Sequence, residues 1–156
     1  MRSLAGGIVI AVLLAGCGHS KQSTATTVSP VAKEECDGTS SNLEYTQCFN
    51  KLAQEAEANA AKELKKTADL AKLADQEYSW SRPKSIAPSE EEALANYLKG
   101  SQTHWEDYVE KQCELEAETS RGGSGTDTLR AKCHLRLART RVAELQAAQK
   151  MIDRSR

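Results

Sequence analysis

Between Ser41 and about Tyr78, small and apolar residues recur along one side of a helical wheel: Leu43, Cys48, Leu52, Ala56, Ala60, Leu64, Ala68 and Ala71. The pattern predicts one long helix. Ser41-Asn42-Leu43-Glu44 opens it as a capping box, in which the serine hydroxyl and the glutamate carboxylate satisfy orphan amides. Alanine favours the helix and lets a neighbour approach closely. A helix this long needs a partner along most of its length to be stable.

Pro83 and Pro88 end that helix. Ser89-Glu90-Glu91-Glu92 reads as a second capping box, with its carboxylates at the positive end of the helix dipole. Leu94, Tyr97, Leu98, Ser101, Trp105, Tyr108, Val109, Gln112 and Leu115 form the stripe of a second helix, which Gly100 weakens and is placed to bend. After Arg121-Gly122-Gly123-Ser124-Gly125, a flexible loop by composition, Asp127 is the expected cap of a third helix. Its inward residues are then Leu129, Cys133, Leu137, Val142, Leu145 and Ala148. No segment alternates with period two. The expected fold is all-α, a small disulfide-stapled helical bundle of about three helices, with a long first helix and an antiparallel hairpin formed by the second and third.

The N-terminus carries a different pattern. Arg2 precedes a nearly unbroken apolar run from Gly6 to Leu14, which leads into Leu14-Ala15-Gly16-Cys17. This is a secretory signal with a small-residue cleavage site. A cysteine at the cut marks the bacterial lipoprotein pattern, in which its thiol takes a diacylglycerol. The rival reading is an ordinary signal peptide with an incidental cysteine. The run is shorter than the roughly 20 residues of a membrane span. The expected organisation is therefore a signal peptide over 1–16, a lipidated tether over 17–35 and a helical domain over 36–156. The Ser- and Thr-rich tether has no apolar period and spans roughly 20–25 Å as a coil. The expected location is the bacterial cell envelope, with the lipid on Cys17 in the membrane and the domain facing periplasm or exterior.

Export gives the other cysteines a meaning. Cys36, Cys48, Cys113 and Cys133 are an even set in an oxidising compartment and read as two disulfides. Three connectivities are open. Cys36–Cys48 with Cys113–Cys133 is favoured, because both bonds close local loops. A loop near 20 residues is worth about 3 kcal/mol in the chain-entropy model, which matters when aromatic residues make up only 4% of the chain and the core is thin. A zinc site using Cys133 and His134 is the rival, but no Cys-x-x-Cys spacing is present.

The formal net charge is −1, which points to no nucleic acid partner. Charge is nevertheless divided: residues 89–118 hold nine acidic and two basic side chains, residues 129–156 eight basic and two acidic. Antiparallel neighbours of opposite sign attract and disfavour wrong packing. The acidic segment also reads as a docking face for a cationic partner, with Glu106, Asp107, Glu110 and Glu114 as candidates.

Catalysis finds no constellation here. His19 lies in the tether, and His104 and His134 have no nucleophile at a useful spacing. The glycine loop follows a helix and lacks the lysine of a phosphate-binding loop. The chain reads as a non-enzyme with no cofactor and no metal. Trp105 and Tyr108, three apart on a helix, read first as core and otherwise as an exposed binding patch. Residues 121–125 read as a plain hairpin connection, or as a polar finger presenting Arg121 and Ser124.

Taken in order, these residues resemble the LprI-like lysozyme inhibitors, a family of small exported helical proteins. The resemblance covers about residues 36–145. It rests on Cys36, then Gln47-Cys48 with Leu52, then Trp105-x-x-Tyr108 followed by Cys113, then Gly122-Gly123-Ser124, Cys133, Arg141 and Leu145. Val109 stands where the family usually has an arginine, and Leu73-Ala74-Asp75-Gln76-Glu77-Tyr78 matches the family's first-helix signature only loosely. The resemblance implies a protein that binds lysozyme, often a cationic enzyme with two catalytic carboxylates. The acidic face would steer the encounter, and Arg121, Gly122, Gly123 and Ser124 would reach the catalytic acids. Trp105, Tyr108 and Arg141 would hold the fold. A non-inhibitory binding or sensor module and a structural spacer are the competing functions.

Overall fold

Ser41 opens the first helix as expected, with one shift in the cap. The Glu44 amide donates to Ser41 Oγ at 3.2 Å, but the Glu44 carboxylate reaches one residue further back, accepting from Ser40 N at 2.9 Å and Ser40 Oγ at 2.6 Å. The helix then runs over Asn42–Ser81 (α1), roughly 60 Å at 1.5 Å per residue. Leu94–Glu118 (α2) returns beside it, and Thr126–Ser155 (α3) completes an up-down-up bundle. The computed structural model describes residues 35–81, 89 and 93–156. The signal segment 1–16, Cys17 and the tether up to residue 34 lie outside the described residues, as do Pro83, Pro88 and residues 90–92 of the second capping box. Among the described residues there is no strand, and no helix is long and apolar enough to cross a membrane.

The largest interface joins α1 to α3. The buried residues of α1 are Phe49, Ala53, Ala56, Ala60, Thr67, Ala71 and Ala74, a coiled-coil-like spacing made mostly of alanine. Phe49, Ala53 and Ala56 meet Ala131, Leu135 and Ala138 of α3, and Cys36 closes over them. The register differs from expectation at the start of α1. Leu43 is 67% exposed, and Phe49 and Ala53 point inward instead. Cys48 is bonded to Cys36 at the edge of the interface, and this rotation turns Phe49 to the centre. Lys132 sits 4.7 Å from the ring centroids of both Tyr45 and Phe49 and donates to the Tyr45 hydroxyl at 3.1 Å. Further along, buried Thr67 accepts from Gln149 Nε2 at 3.0 Å, so the one polar residue in the seam is satisfied.

α2 is held differently. It packs on α3 through a narrow strip in which Val109 and Cys113 meet Cys133 and Leu137. Ala117 is buried one turn further on. The Cys113–Cys133 bond clamps this strip, and Cys36–Cys48 is the second bond, so the local pairing is the one adopted. At the opposite end of α2 the N-cap is Ala93, whose side chain makes no capping bond. Asp75 of α1 supplies acceptors there, taking the amides of Leu94 at 2.9 Å and Ala95 at 3.1 Å. The helix is continuous through Gly100. Asp127 does not cap α3 either. Gly125 is the N-cap, and Asp127 lies in the first turn, paired with Arg130 at 2.9 Å.

Glu35, expected in the tether, belongs to the folded part. Its carboxylate takes Arg139 Nη2 at 2.9 Å. At the far end Arg156 grips Glu77 through two bonds of 2.6 Å.

The burial pattern sets a contrast between two leucines. Leu135 is 1% exposed, and Leu135→Ala removes a side chain from the centre of the main seam. It is expected to cost about 2–5 kcal/mol, against no more than about 0.5 kcal/mol for Leu43→Ala. Urea unfolding under oxidising conditions measures both, and equal losses would put Leu43 inside. A second expectation concerns acid. Glu44 is held below the ordinary carboxylate range by the Ser40 hydroxyl, Glu63 by Lys66 and then Gln149, and Glu77 by Arg156. A carboxyl depressed in the fold stabilises it above its unfolded value of 4.5 and loses that contribution as pH falls through the lower folded value. The melting temperature should therefore drop below pH 4.5. The triple variant Glu44→Gln, Glu63→Gln, Glu77→Gln should show a flatter acid limb by circular dichroism, and an unchanged limb would rule these groups out.

Candidate functional site

The loop between α2 and α3 is more ordered than its glycines suggest. Arg121 N donates to Glu118 O at 2.9 Å, Gly123 N to Ser120 O at 3.0 Å, and Thr126 N to Gly123 O at 3.1 Å. The Ser120 and Thr126 hydroxyls bond across its base. Arg121 and Gly122 both take positive φ, 49° and 74°. Glycine carries this freely at 122, whereas the arginine is held in a conformation that L side chains adopt sparingly. A side chain at 123 would start 3.0 Å from the Ser120 carbonyl, a tight approach that favours glycine there. The turn leaves Arg121, Gly122, Gly123 and Ser124 all exposed. It is a hydrogen-bonded turn that presents these residues at the tip of the hairpin.

The acidic residues of α2 divide into two groups. Glu114 takes Arg130 of α3 at 3.1 Å, and Glu116 takes Arg136 at 2.5 Å, so these two serve the hairpin. Glu106, Asp107 and Glu110 are exposed, and among the described residues no α3 cation pairs with them. Glu106 accepts from Gln102 Nε2 at 2.9 Å, and Glu110 lies 3.9 Å from Lys111, both partners being exposed.

Trp105 and Tyr108, expected to share the core, part company. Trp105 is half-buried against the Val109–Cys133 cluster, while Tyr108 is 51% exposed. The disulfide at Cys113 fixes the rotation of α2 so that Val109 faces α3, and a residue one step earlier then lies about 100° round the helix. Tyr108 is thus a surface residue and not a structural one. Arg141 is a buried cation on α3. It is 7% exposed and donates to Gln102 Oε1 at 3.1 Å, Ser101 Oγ at 3.2 Å and Glu144 at 3.2 Å. Its guanidinium lies 5.7 Å from the centroid of Trp105. One buried cation on α3 therefore contacts two polar side chains of α2 and its tryptophan.

What sequence reasoning missed is a groove between α1 and α2, of about 460 Å³. Ala60, Ala61 and Leu64 of α1 and Trp105 and Val109 of α2 line it, and Glu57, Glu106, Glu110 and Glu114 stand round it. His134 rises beside it and bonds Glu57 at 2.7 Å; its neighbour Cys133 is engaged in the disulfide. Among the described residues no three His, Cys, Asp or Glu side chains converge to hold a metal ion. Glu106 and Glu110 from the expected acidic face join the groove, whereas Asp107 does not line it. Glu57 had no signal in sequence, because only the pairing of α1 with α2 brings it opposite α2.

Residues 33–145 match the model of the family described as lysozyme inhibitor LprI. No curated protein and no solved structure matches the chain. The match covers the three-helix body, both disulfides, the hairpin tip and the groove. The chain belongs to the LprI lysozyme-inhibitor family.

Proposed function

We propose that this protein is an envelope-anchored lipoprotein that binds and inhibits lysozyme by contact, with no chemistry of its own. The family match over residues 33–145 carries this reading. The exposed carboxylates of Glu106, Asp107 and Glu110 support it, since they suit the surface of a cationic enzyme at contact. A lipid on Cys17 and the polar stretch after it would keep the bundle at the membrane, where an incoming lysozyme passes.

In this reading the hairpin tip does the blocking. Lysozymes work through a pair of carboxylates in a cleft. The Arg121 guanidinium offers those acids a paired donor set and Ser124 a hydroxyl. Because the turn is already held by its own hydrogen bonds, little ordering entropy is lost when it enters a cleft.

The test is a turbidity assay of cell-wall lysis with the oxidised protein against several lysozyme classes. Stoichiometric inhibition of one class is expected. The double variant Arg121→Ala, Ser124→Ala should weaken it by about tenfold or more, about 1.4 kcal/mol or above. Unchanged inhibition by that variant would sink the tip model alone. Inhibition of no class, with both disulfides intact, would leave a binding module that does not inhibit.

A further inference from the structure

We propose that the groove between α1 and α2 is a second contact site for the same partner, seating an arginine or lysine side chain of lysozyme. The proposal rests on the inhibitor reading above and names the surface that would give it affinity away from the catalytic cleft.

The groove's walls fit the two halves of such a side chain. Ala60, Ala61 and Leu64 on one wall face Trp105 and Val109 on the other. A volume of about 460 Å³ takes one or two side chains and little more. The apolar walls suit the methylene stem of a long cationic residue, which buries its chain and keeps its head in a polar setting. The carboxylates round the mouth suit the head.

The charge balance at the mouth decides between a cation and a plain apolar group. The two basic residues at the groove are already engaged: Arg130 with Glu114 and Asp127, His134 with Glu57. Glu106 and Glu110 have no such cation from α3. An apolar group entering here would leave both carboxylates partly desolvated with nothing gained. A cation answers them. Trp105 adds an aromatic surface, and Arg141 holds the ring from the core side.

The groove is a consequence of the packing. α1 and α2 share the smallest of the three interfaces, and α1 presents alanine where a larger residue would close the gap. Glu106 and Glu110 lie one turn apart on α2, so both face the same opening.

The experiment is titration calorimetry of the oxidised full chain with the lysozyme class that it inhibits, at physiological salt. Three variants carry it. Glu106→Gln with Glu110→Gln removes the charges at exposed positions without changing shape. Ala61→Trp fills the groove from an exposed position on α1. Glu55→Gln with Asp69→Asn removes the same charge from exposed positions of α1 outside the groove. The two groove variants should each weaken binding by about tenfold, and the control by no more than about twofold. Equal weakening by the charge pair and the control would assign the effect to the general field and overturn the groove. So would wild-type affinity in both groove variants, or sedimentation showing that the wild-type chain alone forms a dimer which Ala61→Trp dissolves. If Ala61→Trp fails to fold, the charge pair against its control still decides. Failure of the wild-type chain to bind any lysozyme is a separate result, which overturns the inhibitor reading and this proposal together.

Discussion

The alanine seam between α1 and α3 is the constraint on which the rest of the molecule depends. Alanine buries little area, so each contact contributes little, and the seam holds by close approach over many turns. Among the described residues only Phe49, Leu135 and Leu145 are large, apolar and almost wholly buried. Such a core is thin for its length, and the fold is reinforced where the seam is weakest. Cys36–Cys48 pins the start of α1, Arg156 with Glu77 ties its far end to α3, and Gln149 satisfies the buried Thr67 between them. By the chain-entropy model each disulfide adds about 3 kcal/mol, a large share of what a small domain has in total.

With α1 and α3 committed to each other, α2 receives what is left. It is fastened at two ends and in the middle by unlike devices: a disulfide at Cys113, a carboxylate from Asp75 at its first amides, and the buried Arg141 reaching Ser101 and Gln102. None of these requires α2 to lie flush against α1. The groove is the space that results, and its acidic rim is the α2 surface that α3 does not neutralise. The site is thus produced by economy in the core, with no cavity carved out of a well-filled interior.

Much of this was legible in the sequence, and the failures have physical causes. Helix count, the hairpin and the cysteine pairing followed from period and from loop closure, which are local properties. The rotation of each helix was not local. Leu43 keeps the period of the inward stripe, yet the bond to Cys36 goes with Phe49 turned inward instead. Tyr108 was read with Trp105 because three-residue spacing shares a face, but α2 buries only a strip narrow enough to hold one of them. Two of the first amides of α2 are bonded by Asp75, which lies on another helix. No sequence window of ordinary width contains both partners. The same holds for the groove, whose rim unites Glu57 with Glu106 and Glu110 across a helix reversal.

Charge patterning shows how one property serves fold and recognition without conflict. The acidic half of the hairpin pairs with the basic half at Glu114 and Glu116, near the turn, where register has to be set. Exposed pairs of this kind add little stability, so what they supply is specificity. Glu106, Asp107 and Glu110 lie further from the turn and are left over from that task. The chain as a whole carries a formal charge of only −1, so it projects no strong field at a distance. At physiological salt the screening length is about 8 Å, and a patch of three carboxylates acts only on a surface already close. In the proposed reading, recognition would then come from shape at contact: a hydrogen-bonded polar tip at one end of the hairpin, and an apolar groove with a charged mouth that includes Glu114 and Arg130. The two features together would suit a partner that presents a concave acidic site and a cationic surface next to it.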